Sequence, residues 1–284
     1  MRARTVTNIF PAVRDDIADL QTWRAMPTPW VERIDPFLFL NHHGRQLYPP
    51  GNRGLPFGPH PHRGFETVTF ILEGDIAHRD SGGHESVIGA QGVQWMTAGR
   101  GLVHSETSSD AFKRTGGPLE VLQPWVNLPA RLKMTAPHYV GLQGAQIPVF
   151  EADGGRVRVR LVSGAWDGRR GPVAPLLDVT AMTIEMAAGG RLALPVPAAH
   201  NILLYAVQGG VRVNGTVLPA RHLADFARED GELDLLAEAE RAVLLLCHAA
   251  PLDEPVAAHG PFVMNTQEEI LQAITDYQAG RFGA

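Results

Sequence analysis

The sequence predicts an all-β chain of two tandem β-barrels followed by a single C-terminal helix. Three observations carry that reading. Short runs of alternating apolar and polar residues, rich in β-branched and aromatic side chains, recur along most of the 284 residues. The 30 glycines and 22 prolines are many for a helical protein and suit short strands joined by tight turns. One pattern, a Pro/Gly-rich lead, a histidine, an apolar strand, a glycine turn and a short return strand, occurs twice, near residues 54–79 and 189–215. The expected division is therefore residues 1–148 for the first barrel and 149–284 for the second barrel with the terminal helix.

Composition narrows the function classes. At 44% hydrophobic and 19% charged the chain is an ordinary globular one. A formal net charge of −5 gives no basic surplus to neutralise phosphates, so direct nucleic-acid binding is not expected. Cys247, the one cysteine, excludes an intrachain disulfide and is consistent with a reducing compartment. The first ten residues lack the apolar centre of a signal peptide, and the apolar runs at 202–207 and 242–247 are too short to span a bilayer. A monomeric cytoplasmic protein with no membrane association is the expectation.

Along the chain, residues 1–50 read as short strands punctuated by proline. Neighbours on a strand face opposite ways, so His42 and His43 are expected in a turn, with one of them exposed. Next comes the run Gly54 to Gly74, with the only His-x-His, at His60 and His62, leading into a strand over 65–72. Counting by twos places His60, His62, Glu66, Val68, Phe70 and Leu72 on one face, expected to be the barrel interior. A turn at 73–75, a return strand at 76–79 and a turn at 80–83 follow, with His78 and His84 expected exposed. Glycines 89, 92, 99 and 101 imply turns or bulges before His104 and Glu106, which again share parity. Residues 121–128 resume a strand, and 129–134 read as surface loop.

The second half starts near Val149, with strict alternation over 156–162. Its copy of the motif has His200-x-Ile202 in place of His-x-His, and no His-x-Glu follows near 228–234, so it reads as a structural barrel without a metal. The acidic run 229–240 is expected to be a solvated face. Asn265-Thr-Gln-Glu-Glu269 is a capping box, Ile270, Leu271, Ile274 and Tyr277 make one helical stripe, and Gly280 is a natural stop.

The chemistry gathers at His60, His62, His104 and Glu106. Two His-x-ligand pairs aimed inward from two strands can close on one ion. Imidazole nitrogens with a carboxylate suit a first-row transition metal rather than Ca²⁺ or Mg²⁺. A six-coordinate ion would keep two positions for water, O₂ or substrate. Glu66 has the same parity as the histidines, and His-x-His-x₃-Glu is also a ligand pattern, so residue types alone leave Glu66 and Glu106 both open.

Three segments, His60-Pro-His-Arg-Gly-Phe-Glu-Thr-Val-Thr69, Gln94-Trp-Met-Thr-Ala-Gly-Arg-Gly101 through His104-x-Glu106, and Gly260-Pro-Phe-Val-Met-Asn-Thr-x-Glu-Glu269, resemble the pirin family, whose members are bicupins. The resemblance implies two cupin (double-stranded β-helix, jelly-roll) barrels, with metal only in the first. It implies His60, His62, His104 and Glu106 as ligands of one divalent ion, Fe(II) foremost, although Cu, Ni, Co, Mn and Zn accept such a set. Glu66 then becomes a neighbour outside the ligand set, or a partner of Arg63. Several pirins are similar to flavonol dioxygenases, which open quercetin with O₂ and release carbon monoxide. By that likeness Glu106 is a general base for the flavonol hydroxyl, and Phe57, Phe70 and Trp95 are candidate walls for an aromatic substrate. The resemblance also implies an alternative, ranked second to the dioxygenase because the ligand set matches the latter: a redox-sensing regulator that binds protein partners, as animal pirins do. A metal with a purely structural role is the third reading.

Overall fold

The computed structural model describes residues 2–283 and is built almost wholly of strands, with two α-helices, Asp110–Thr115 and Gln267–Gln278, among the described residues. No helix among them is long and apolar enough to cross a membrane. The chain forms two compact units. One contains Leu38–Gln146, Arg14–Trp23 and the segment from Leu252 onward; the other contains Ile147–Pro251, Arg24–Phe37 and the N-terminal segment up to Val13. The crossing at 146/147 lies beside the expected 148/149, but the chain ends are exchanged between the halves. The reason is pairing. Strand Val6–Pro11 adds antiparallel to His222–Phe226 and so extends a sheet of the C-terminal half. The terminal helix packs on the hairpin Ala257–His259/Phe262–Met264, and Phe262 bridges to Arg63 of the first barrel.

In the unit that carries the His-x-His motif, the larger sheet runs in the order His138–Leu142, Val93–Thr97, Phe65–Glu73, Gly117–Asn127, Phe37–Tyr48. The smaller sheet has the order Phe57–His62, Leu102–Thr107, Asp75–Asp80, Glu85–Gly89. Ile71, Leu119 and Val121 from the first meet Ile76 and Ile88 from the second in one buried cluster, which packs the two sheets face to face. The other unit repeats this order. Its larger sheet contains His222–Phe226, Asn201–Gln208, Ala242–Ala249 and Thr180–Met186, and its smaller one Arg191–Val196, Gly231–Leu236, Val211–Val213 and Thr216–Leu218. Leucine, valine, isoleucine and methionine from both fill its interior.

Four local expectations are corrected by burial. His42 and His43 lie in the middle of the strand Phe37–Tyr48 and are both buried, because each finds a polar partner: His42 Nε2 meets Glu120 Oε1 at 3.0 Å and His43 Nδ1 meets Thr22 Oγ1 at 2.9 Å. Lys133, expected in a surface loop, is buried, with its ammonium shared among Gly64 O, Asn127 Oδ1 and Val263 O. The acidic run 229–240 is not all surface, since it includes the strand Gly231–Leu236, which buries Leu233 and Leu235. The terminal helix has its capping box, Thr266 with Glu269, but its buried side is Ile270 and Ala273, while Leu271 is 65% exposed.

Candidate metal centre

Strand Phe57–His62 pairs antiparallel with Leu102–Thr107 so that His60 stands opposite His104 and His62 opposite Leu102. Residues two apart share a face, and cross-strand partners are immediate neighbours. Spacing along one strand and register with the next therefore bring three imidazoles together. Their ring centroids are 4.4 Å (His60–His104), 4.9 Å (His60–His62) and 5.0 Å (His62–His104) apart. One ring nitrogen from each lies within 4.8 Å of the others, a group that could hold a metal ion.

The chemistry of the donors fits such an ion. Burial, reinforced by the neighbouring His60, pushes His62 down to about 3, and burial drives His104 well below the usual histidine range. Both are therefore neutral, which is the ligating form, near neutral pH. His60 Nδ1 donates to Gly58 O at 2.7 Å, so Nε2 is the nitrogen it can offer to an ion. Neither ring nitrogen of His104 has a hydrogen-bond partner, and His62 Nδ1 has none, although all three are buried. Buried polar atoms are rarely left without partners, and a bound transition metal would satisfy them.

Glu106 does not join this group. The register shifts between His104 and Glu106, and Glu106 stands opposite Phe57 on one side and His78 on the other. Its carboxylate sits in a cradle of three donors: Thr69 Oγ1 at 3.0 Å and Gln94 Nε2 at 3.1 Å on Oε1, and Gln123 Nε2 at 2.7 Å on Oε2. Tyr139 Oη donates in turn to Gln94 Oε1 at 2.9 Å.

The expected even-numbered inner face ends at the corner between the two strands. Gly64 has φ +89° there, and a Cβ on it would lie 2.0 Å from Val263 O. Beyond the corner the parity inverts: Phe65 packs on His62, Thr69 reaches Glu106 and Ile71 enters the core. Glu66, Val68 and Phe70 occupy the opposite face, and Trp95, paired with Val68, shares it. Phe70 and Trp95 are thus removed from the site wall. Glu66 instead accepts from Thr97 Oγ1 at 2.6 Å, and burial pushes its carboxyl up. The aromatic rings beside His62 are Phe65, at 5.1 Å, and Trp125, at 5.3 Å, with Phe39 stacked on Trp125. Phe57 stands in register with Glu106, with its ring 5.3 Å from His43.

Two further expectations change. Arg63 does not pair with Glu66; it donates to Asp276 Oδ2 at 2.8 Å and to Arg100 O, and it lies over the Phe282 ring, so it anchors the terminal helix. His78 is buried, stacked on Tyr139 at 4.2 Å and bonded to Asp80, with its ring 5.4 Å from His104, while His84 is the more exposed of the two. Thr69 and Gln94 lie in the family-like segments and Gln123 on an expected strand, while Tyr139 had no mark in the sequence, and register assembles the four around Glu106.

Two barrels of the same strand order, one carrying three inward histidines, define a double-barrel cupin protein with a candidate metal centre in one barrel. The pirin family matches over residues 19–126 and the pirin C-terminal cupin domain over 181–283. A "Pirin-like protein" of Caulobacter vibrioides is 41% identical over 269 residues, covering 94% of each chain. A Pseudomonas aeruginosa protein named "Putative quercetin 2,3-dioxygenase" is 39% identical over 251 residues, covering 88% of this chain and 87% of that one. The crystal structure of a quercetin 2,3-dioxygenase from Acinetobacter baumannii superposes with a TM-score of 0.91 at 32% identity, covering 99% of both chains. The chain belongs to the pirin family.

Proposed function

We propose that the protein is a metal-dependent dioxygenase that opens a flavonol such as quercetin with O₂, working as a monomer in the cytoplasm. The observation that carries this reading is the convergence of His60, His62 and His104, the last two with buried unpartnered nitrogens, on the same barrel wall as a cradled carboxylate. The names of relatives covering most of the chain support it. His60, His62 and His104 are the proposed metal ligands. Glu106 is the fourth donor that the resemblance implies, and the proposed general base. Bound there, a divalent ion, Fe(II) before Cu, Ni, Co, Mn or Zn, supplies Lewis acidity toward a phenolic oxygen and an electronic route to O₂.

The remaining work falls to the chain itself. Glu106 offers a carboxylate oxygen to the flavonol hydroxyl proton. Thr69, Gln94 and Gln123 hold that carboxylate in one orientation, so little reorganisation is needed when the proton arrives. Phe65 and Trp125 give the centre an apolar aromatic flank suited to a planar ring system. The test is direct. Metal-loaded protein should bleach quercetin under O₂ with release of carbon monoxide, and His62→Ala and Glu106→Ala should abolish it. Absence of turnover with every one of the six metals rejects the reading. Light scattering at a single-chain mass checks the monomer.

Membership of the pirin family favours one second reading, a redox-sensing regulator built on the same centre. It requires a partner that binds ferrous and ferric forms with different affinity. Equal capture of a partner by ferrous, ferric and metal-free protein would remove it.

A further inference from the structure

The two stretches that carry the histidines are gripped by the same distant piece of chain, from Ala257 to Gly283, which belongs to the same compact unit. On the His62 side, Arg63 N donates to Pro261 O at 3.3 Å and Val263 N donates to Arg63 O at 3.0 Å. The hairpin Ala257–His259/Phe262–Met264 therefore lies along the corner that follows His62. The buried Lys133 ammonium ties the two together, donating to Gly64 O at 2.9 Å and Val263 O at 3.0 Å. On the His104 side, Gly283 N donates to Gly101 O at 3.2 Å, and Val103 packs against the cluster that holds Phe262, Ile270 and Phe282. Gly101 leaves no room for a side chain, since a Cβ there would lie 2.7 Å from the Phe282 ring.

Arg63 joins the two sides. Its Nε donates to Arg100 O at 2.6 Å, its Nη1 to Asp276 Oδ2 at 2.8 Å, and its guanidinium carbon lies 4.6 Å from the centre of the Phe282 ring. Phe282 is itself buried against Phe262 and Tyr277. One contact, Arg63 on Phe282, thus links the corner after His62, the turn before His104 and the terminal helix. It sits at the end of the strand pair where His62 stands opposite Leu102, and that register is what gathers the three imidazoles.

We propose that the C-terminal segment is a strap that positions the metal centre, with Phe282 and Arg63 as its positioning residues. Seated, the strap holds the His62 and His104 strands together at their shared end; unseated, it lets them part, and the ion is held less tightly. The strap supplies no ligand and acts only through the corners it grips. The inference rests on the metal-centre reading and does not need the dioxygenase reading. Linkage makes the effect reciprocal: whatever factor seating adds to the affinity for the ion, the ion adds to the seating of the strap.

The experiment titrates metal-stripped full-length protein with Zn²⁺ by calorimetry and follows amide exchange with and without the ion. Phe282→Ala should weaken Zn²⁺ binding roughly tenfold, and Phe282→Leu, which keeps an apolar side chain in the seat, should recover most of it. In the wild type, Zn²⁺ should slow exchange across Gln267–Gln278 by the same factor, about tenfold. The other helix of the unit, Asp110–Thr115, should change little, and His104→Ala should abolish the slowing. Equal slowing in both helices marks general stabilisation and overturns the proposal, as does bound Zn²⁺ with no slowing, or Phe282→Ala that binds as tightly as the wild type. A wild type that binds no Zn²⁺ overturns the metal centre and the strap together. Because the readout is Zn²⁺ binding, a protein that does not turn over quercetin still tests the strap.

Discussion

The Tyr139 hydroxyl donates to Gln94 Oε1 at 2.9 Å, and that contact decides which end of the Gln94 amide faces Glu106. With its oxygen occupied, Gln94 presents Nε2, which donates to Glu106 Oε1 at 3.1 Å. Ser86 Oγ lies 2.6 Å from the same tyrosine oxygen and holds the ring in place. Tyr139→Phe removes the element that sets the amide. Turnover of quercetin is expected to fall about fivefold, the worth of one hydrogen bond of about 1 kcal/mol, with metal content and KM little changed. Loss of metal in this variant would show a structural role instead.

Glu106→Gln separates proton transfer from metal binding. The amide cannot accept the proton, so kcat is expected to drop roughly 10²–10⁴-fold. The three histidines remain, so metal analysis should still find close to one equivalent at this centre.

Metal removal should cost stability through the unpartnered nitrogens of His104. Ligand present at about 100 times its dissociation constant adds about 2.7 kcal/mol to the folded state. Chelation is therefore expected to lower the melting temperature of the wild type. The same treatment should leave His104→Ala unmoved at this centre, which differential scanning calorimetry checks.

Lys133 sets a pH dependence. Burial lowers its ammonium from 10.5 to about 8. Between those values the unfolded chain binds more protons than the native one, so stability rises with pH across that window, and the penalty is fully present below pH 8. The gain is on the order of 3 kcal/mol. Lys133→Met abolishes the titration, so the wild type should gain on the variant as pH climbs from 8 to 10.5 in urea unfolding curves. Parallel curves would refute the assignment.

Arg63 and Asp276 form a pair at 2.8 Å with both side chains largely buried. Arg63→Met removes that partner, leaves Asp276 with Arg281 and Gln272, and loosens the anchor of the terminal helix. A loss of about 2 kcal/mol is expected, together with faster amide exchange across Gln267–Gln278.

Much of this was legible in the chain itself. Alternation and glycine turns marked two barrels, because a strand's face pattern is written at a period of two. His60, His62 and His104 could be singled out because their two-residue spacing and their residue type are both chemical constraints. The helix start was plain from Thr266 and Glu269, since a capping box is local.

What the residues by themselves determined was therefore local: strand, turn, cap, and the histidines that gather. Tertiary structure alone decided which side of Phe65–Glu73 faces inward, because Gly64 turns with positive φ against Val263 and breaks the count by twos. It alone decided that Glu106 rests among Thr69, Gln94 and Gln123, that Arg63 ties down Asp276, and that the two chain ends trade places between the halves. Each of these depends on register or on a partner far along the chain, and a one-residue slip in pairing inverts every side chain on a strand.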